Sequence, residues 1–373
     1  MRVGAIRSFV IGYPDPNDNY SRRMTVLVRV ETTDGVVGWG EGIAMWQEAC
    51  WATKLLVDGG FGPLLIGAGE VTVQSAWEAM RAHAWWYGEG GIAGFAYSAL
   101  DMALWDIEGK LRGKPLHELF GGIRHKAMPA YASCHANRPT MAENVAMVVG
   151  FKEAGFRGVK LGFGKRGHSP IGRDPDGDVA FVGELRAALG ADFEIIVDAG
   201  NGVKWDVETG IKTVRRMAEY DIGWIEEPFY PTRLDDYRAL KAAVQVPIGS
   251  GEREWTVTGY RRLIETGTVD VLGVDPSRAE GITGFRAIDA ICGEHGVTIN
   301  AHAWSTAILT AASLHLTLAS PNARLFELKP FAVSVQNELV AEPIWHKGGV
   351  MTAPAGPGLG ITVNEDVVRR LQL

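Results

Sequence analysis

The stretch WIEEP at 224–228 sits between two other isolated acidic positions, Asp198 in IIVDAGNG (195–202) and Glu252 in VPIGSGERE (246–254). Each acid follows a short apolar run of strand length. Such runs, separated by helix-length segments, read as strands of a parallel sheet buried on both faces. Carboxylates at the carboxyl ends of three successive parallel strands converge at one mouth of a barrel, the usual place for catalysis in such folds. Three convergent hard oxygen donors point to Mg2+, with Mn2+ as the substitute to consider.

Outward from these three strands the pattern repeats. MPAYASC and FRGVKLG precede them, and VDVLGV, VTINA and ARLFE follow, for eight β-rich runs in all. Eight βα units predict a closed parallel barrel, whose crossovers cover every strand. An open doubly wound sheet is the alternative, but no GxGxxG follows the first of these strands. At or near the eight strand ends stand Ser133 and His135, Lys160, Asp198, Glu226, Glu252, Asp275, His302 and Glu327. A buried charge is strongly unfavourable unless it is paired or binds a metal. One such residue is readily a structural salt bridge; the whole series is not.

Before the barrel, residues 1–10 and 24–32 alternate as antiparallel strands, with a hairpin turn at Asp34-Gly35. Segment 95–112 has helical spacing of apolar residues and a stop at Gly113 and Pro115, which predicts an amphipathic helix. The expected division is a capping domain over 1–125, a barrel over 126–328, and a Gly/Pro-rich segment over 329–373 that returns to the capping domain. A length of 373 residues suits two such units.

Composition closes off other classes. With 46% hydrophobic and 22% charged residues and no long charge run, the chain is globular and not disordered. A net charge of -7 argues against a nucleic-acid partner, which needs a basic face. Cys50, Cys134 and Cys292 form neither a disulfide framework nor a CxxC metal site, which fits a reducing cytoplasm. The N-terminus reaches Pro14 too early for a signal-peptide core or membrane span.

On these residues the chain resembles the enolase superfamily, and within it the mandelate racemase group, over essentially its full length. AYSALDMALWDIEGKLRGKPLHELFGG at 96–122 is similar to that group's first signature. FRGVKLG, VDAGNG, WIEEP, IGSGE, VDPSRAEGITG, INAHAW and LFE match its strand ends in order. The resemblance implies a modified (β/α)7β TIM-type barrel of the α/β class, with an N-terminal α+β capping domain completed by the C-terminal segment. It makes Asp198, Glu226 and Glu252 the metal ligands, with Glu227 a neighbour. Asp275 and His302 resemble the group's catalytic dyad, Lys160 the first lysine of a KxK motif, and Glu327 the acid on the eighth strand. It further implies a homo-oligomer acting on a small-molecule carboxylate.

Elementary chemistry supports these roles. A proton α to a carboxylate is very weakly acidic, because its removal puts a second negative charge on the carboxyl group. A divalent cation and Lys160 would absorb that charge, and a protonated Glu327 could donate a short hydrogen bond to the carboxyl. His302 suits the base, with Asp275 fixing its tautomer. The other eight histidines lack such a partner in the sequence. His83, His117, His125, His295, His315 and His346 read as surface or packing residues, whereas His135 and His168 fall on barrel-mouth loops and are candidate substrate contacts.

One departure bears on the reaction. Racemases of this group carry a second lysine two residues after the first, but this chain reads Lys160-Leu161-Gly162. Racemisation needs an acid/base group on each face of a planar intermediate, so the second face would fall to Lys160 or to Lys165, Arg166 or His168. One-base β-elimination of water is the better fit, which implies an acid-sugar dehydratase. An epimerase using Lys160 and His302, and a catalytically silent sugar-acid-binding barrel, are the alternatives.

Candidate substrate contacts lie on loops. The segment 163–178 is glycine-rich and basic, and its Lys165, Arg166 and His168 could meet a second carboxylate, so a diacid is as plausible as a monoacid. Tyr20 and Arg22, in an expected loop at 12–23, and Trp46 are candidates above the barrel. Ser133 and Arg278 are candidate carboxylate contacts. Trp46 and Trp304 read equally well as packing, and Trp205 better so.

Overall fold

Apolar alternation at the N-terminus folds as an antiparallel meander of β1 (Val3–Asp15), β2 (Ser21–Thr32) and β3 (Val37–Met45). In the computed structural model, which describes residues 1–165, 169–200 and 202–373, the Asp34-Gly35 turn closes the second hairpin. Gly35 has φ +82°, which a residue without Cβ adopts freely. The first hairpin runs further than expected. Residues 12–15 and 21–23, read from sequence as a loop, are the paired ends of β1 and β2. A 3-10 turn, Pro16–Asp18, joins them. The strand ends hold because Asp15 is fully buried and paired with buried Lys329 at 2.9 Å, which fastens the hairpin to the second domain.

The expected amphipathic helix forms as Ile92–Leu111 but is buried on nearly every face. Gly38, Gly40 and Gly42 of β3 let it approach. A Cβ at these positions would stand 2.2, 1.9 and 2.6 Å from the carbonyl oxygens of Ala103, Ala99 and Phe95, far inside van der Waals contact. The helix also packs on the barrel helix Gly281–His295. Its acids are clamps. Asp101 accepts hydrogen bonds from the Thr283 N–H (2.9 Å) and hydroxyl (2.6 Å). Asp106 accepts from the Trp39 N–H (3.0 Å), the Leu359 N–H (2.9 Å) and Lys110 (2.7 Å), joining sheet, helix and C-terminal segment.

The second domain holds eight parallel strands: β4 (Met128–His135), β5 (Gly158–Gly162), β6 (Glu194–Asp198), β7 (Ile225–Glu226), β8 (Ile248–Ser250), β9 (Val271–Val274), β10 (Thr298–Ala301) and β11 (Phe326–Leu328). Their ladder runs β11-β4-β5-β6-β7-β8-β9-β10, and β10 lies beside β11 at the seam. A helix follows each of the first seven strands; after β11 comes only Ser334–Asn337 before β12 (Val350–Met351), which pairs antiparallel with β4. The last residues return to β1, where the Leu373 N–H reaches the Val10 carbonyl at 3.0 Å. Inside the barrel, Tyr131, Ile196, Trp224, Val271 and Leu325 form an apolar plug below the mouth. No helix among the described residues is long and apolar enough to cross a membrane.

Candidate active site

Strand alternation sends every second residue into the barrel, and the register stacks these residues in layers. Ser133 and Lys160 share one layer; His135, Gly162, Asp198 and Glu226 form the layer above. At the next residue the chain turns. Glu227 has φ +44°, rare for a residue with a side chain, and its carboxylate accepts from Arg253 Nε at 2.5 Å and the Gly251 N–H at 3.3 Å. The first acid of WIEEP therefore faces the mouth and the second braces the following loop. Carboxylate oxygens of Asp198, Glu226 and Glu252 lie within 4.8 Å of one another.

This cluster fits a hard divalent cation. Burial pushes the Glu226 carboxyl up to about 7, against the pull of Lys160 and reinforced by Asp198 and Glu327. Burial also acts to raise Glu252, but the surrounding cations, His302 first and then Lys160, Lys165 and Arg278, hold it below the usual carboxylate range. Lys160 Nζ stands 2.9 Å from Glu226 and 2.9 Å from Glu327; Lys165 Nζ stands 3.1 Å from Asp198. Crowded oxygens with too little positive charge around them are the donor set that Mg2+ takes. Burial would neutralise Lys160, yet Glu226 and Glu327 outweigh it and keep the ammonium protonated.

On the far side of Glu252, His302 Nδ1 meets Asp275 at 2.7 Å. Asp275 is fully buried and is itself held by the Ser277 N–H (2.8 Å) and hydroxyl (2.6 Å). The dyad leaves Nε2 for the cavity, which His302 lines. Burial pushes the imidazole down, but the Asp275 hydrogen bond and charge, then Glu252, carry it above its ordinary value. The cavity measures about 890 Å³, with its floor on the barrel mouth and its lip on the β1–β2 hairpin and residues 43–46.

The structure brings most of the expected residues together. Asp198, Glu252, Lys160, His302, Ser133, His135, Lys165, Arg278, Arg22 and Trp46 all border this cavity. Glu226, Asp275 and Glu327 stand behind them as partners. Ser133 donates to Glu327 at 3.1 Å. Arg278, whose charge helps to hold the Glu252 carboxyl down, borders the same cavity. Trp304 lines the wall, and Trp205 is buried packing. Arg166 and His168 lie outside the described residues. Tyr20 does not join the site: at the hairpin tip with φ +60° it is 72% exposed and off the cavity wall. The loop at 163–178 is also shorter than expected, because Asp174 caps a helix beginning at Pro175.

One expectation fails in an informative way. His135 does have a carboxylate partner: its Nδ1 lies 3.2 Å from Asp18 Oδ1. Asp18 is placed by Asn17, whose side chain accepts the His135 N–H at 2.8 Å and whose carbonyl accepts from Asn137 at 2.7 Å. Arg23, ion-paired with Asp18, lies over the Trp304 ring at 4.5 Å, and His135 packs on the same ring at 5.0 Å. The place of Asp18 and Arg23 at the site is not legible locally, because His135 and Trp304, which they meet there, are remote in sequence. The tight PDPND turn was the one available signal.

Residues 18–121 match the mandelate racemase / muconate lactonizing enzyme N-terminal domain, and residues 141–367 match the enolase C-terminal domain-like family. The chain is 28% identical to D-galactarolactone cycloisomerase of Agrobacterium fabrum, covering 100% of this chain and 99% of the relative. It is 32% identical to D-galactonate dehydratase of Ralstonia pickettii, covering 92% and 90%. An enolase from Bradyrhizobium, solved with magnesium and mandelic acid, superimposes with a TM-score of 0.87 at 29% identity, covering 100% and 98%.

Proposed function

Because this chain belongs to the mandelate racemase / muconate lactonizing enzyme family of the enolase superfamily, we propose that it is a Mg2+-dependent acid-sugar dehydratase. It takes the proton α to the carboxylate of an aldonate or aldarate and expels the β-hydroxyl, leaving a 2-keto-3-deoxy acid. The observation that carries this reading is the buried His302–Asp275 dyad beside three convergent carboxylates, with His302, Asp198 and Glu252 lining one cavity. The dehydratase relative supports the lyase class.

One Mg2+ per subunit, held by Asp198, Glu226 and Glu252 and replaceable by Mn2+, would supply Lewis-acid charge to the substrate carboxylate. Lys160 adds a fixed positive charge that Glu226 and Glu327 keep in place. His302 Nε2 takes the α-proton while Asp275 stabilises the resulting imidazolium. That imidazolium then returns the proton to the departing hydroxyl, and the enol tautomerises to the ketone. Residues of the capping domain wall the cavity, and a substrate that displaced its water would strengthen each of these interactions.

Two carboxylates hold the Lys160 ammonium above its ordinary value, which supports its role here as a fixed cation. An isomerase working at the same carbon is the second reading, favoured by the cycloisomerase relative. A screen of aldonates and aldarates, D-galactonate among them, with Mg2+ and semicarbazide tests both. A dehydratase yields a trapped 2-keto acid, lost with chelator and with His302→Asn. An isomerase in deuterated water yields C2-deuterated acid and no carbonyl. Full activity of His302→Asn would remove the base assignment.

A further inference from the structure

Gly162 is flanked in register by His135 on one side and Asp198 on the other, all at the top layer of the mouth. The space above Gly162 is filled by its neighbours. A Cβ there would stand 2.7 Å from His135 Cδ2 and 2.7 Å from Lys165 Cε, so any side chain would evict one of them. Cδ2 of His135, a residue that lines the cavity, thus lies over Gly162, while Nδ1 faces Asp18 at 3.2 Å. Nε2 has no protein partner among the described residues.

The row of metal-type carboxylates is therefore bracketed. His302 stands at its Glu252 end, oriented by Asp275; His135 stands at its Asp198 end, oriented by Asp18. We propose that His135, positioned by Asp18, is a second acid/base group of this site, serving the face of the substrate opposite His302. The pair extends the acid-sugar reading to substrates of either configuration at C2, and rests on that reading for the substrate class.

The groups facing His135 make its resting form a base. Burial pushes the imidazole down, Asp18 pulls it up, Lys165 pushes it down, and Asp198 pulls it up, for a net value below the ordinary one. Arg23 shares Asp18 through its own ion pair. Neutral His135 gives its Nδ1–H to Asp18 and keeps a lone pair at Nε2. In the step proposed, the C2–H bond breaks, the proton goes to Nε2, and the electron pair stays in the C1–C2 enediolate. The imidazolium can then exchange its proton with solvent and return it to C2. Alternatively, the electron pair expels the β-hydroxyl, which takes a proton and leaves as water. No redox partner is needed in either course.

The test follows C2 exchange in deuterated water with the Mg2+-loaded full chain, by proton NMR. The probes are D-galactonate, its C2 epimer D-talonate, and the two enantiomers of mandelate. His302→Asn should depress exchange of one C2 configuration by about 100-fold more than the other, and His135→Asn should invert that preference by a similar factor. Asp18→Asn should shift selectivity the same way as His135→Asn but less, and it covers the case in which loss of the ring unfolds the mouth. A structural role predicts that His135→Asn lowers both configurations alike, and that result overturns the proposal. So does a selectivity that tracks His302→Asn.

The two readings separate. A 2-keto acid formed from a sugar acid with no change of selectivity in His135→Asn leaves the dehydratase and removes the second base. Opposed selectivities on mandelate with no sugar acid turned over do the reverse. Absence of exchange with all four probes in the unmodified protein overturns both.

Discussion

Two histidine–aspartate pairs stand at one mouth, and they are built differently. Asp275 and His302 come from adjacent strands of one sheet, bonded at 2.7 Å with the acid fully buried and triply held. Asp18 and His135 come from different domains, at 3.2 Å, with both side chains about 15% exposed and Asp18 shared with Arg23. The barrel makes the first pair rigid by its own register. The second exists only while the capping hairpin is docked through Asn17 and the Asp15–Lys329 ion pair. Rigidity suits a base used in every turnover, whereas a pair spanning two domains can be assembled as the substrate cavity closes.

Removing what both pairs serve should have the largest effect. Glu226→Gln should abolish the calorimetric signal of Mg2+ binding and reduce turnover by about 1,000-fold or more, as loss of Lewis-acid stabilisation worth several kcal/mol requires. Retained Mg2+ binding would detach the cluster from the chemistry. Next come the rigid pair's members: His302→Asn should lower kcat by about 100- to 10,000-fold, and Asp275→Asn by less, since it misorients a base that is still present. Equal losses from His302→Asn and His135→Asn on a single substrate would erase the contrast between the pairs.

A smaller effect is read through pH. Only the ionised Glu226 carboxylate binds a cation, and its carboxyl is pushed up to about 7. Apparent Mg2+ affinity should therefore fall by about tenfold per pH unit below 7, with proton release in calorimetry across buffers. The metal-free protein shows the opposite sign. A folded-state value above the ordinary 4.5 means that this group's stabilisation is complete below about 4.5 and is lost as pH rises through about 7. Asp101 and Glu280, each raised to about 7 by burial, add to the same trend. Mg2+ should reverse only the Glu226 part, so the gain in Tm from Mg2+ should grow between pH 5 and 8.

The smallest effect on chemistry should come from a buried carboxylate far from either pair. Asp106→Asn leaves donors from Trp39, Leu359 and Lys110 with an amide that cannot match them, and should lower unfolding free energy by about 1–3 kcal/mol. The kcat of the folded enzyme should be unchanged. A loss of kcat without loss of stability would mean that this helix transmits to the site.

The comparison also shows which features were readable. Strand identity, the three converging carboxylates and the His302–Asp275 pair follow from local pattern, because each strand delivers its end residue to the same mouth. The helix 95–112 was placed correctly but read as amphipathic, since its outer face is covered by β3 glycines and a barrel helix that no local periodicity reveals. Residues 12–15 and 21–23 pair as strand ends around the expected turn, and no local pattern shows that Asp15 is buried against Lys329 of the other domain. His135 was read as lacking a partner because Asp18 reaches it only through the docked turn.

By itself, the sequence determined the eight-strand barrel, and it nominated the acids that could hold a cation and a histidine beside an acid one strand away. Those features depend on side-chain alternation and on neighbours one strand apart, and the chain encodes both locally. Only the tertiary structure decided that Glu227 turns aside to brace Arg253, that Lys160 is locked between two carboxylates, and that Gly162 leaves room for His135 and Lys165. These depend on a backbone angle at one residue, on distances between layers, and on a capping domain whose contacts join residues far apart in the chain.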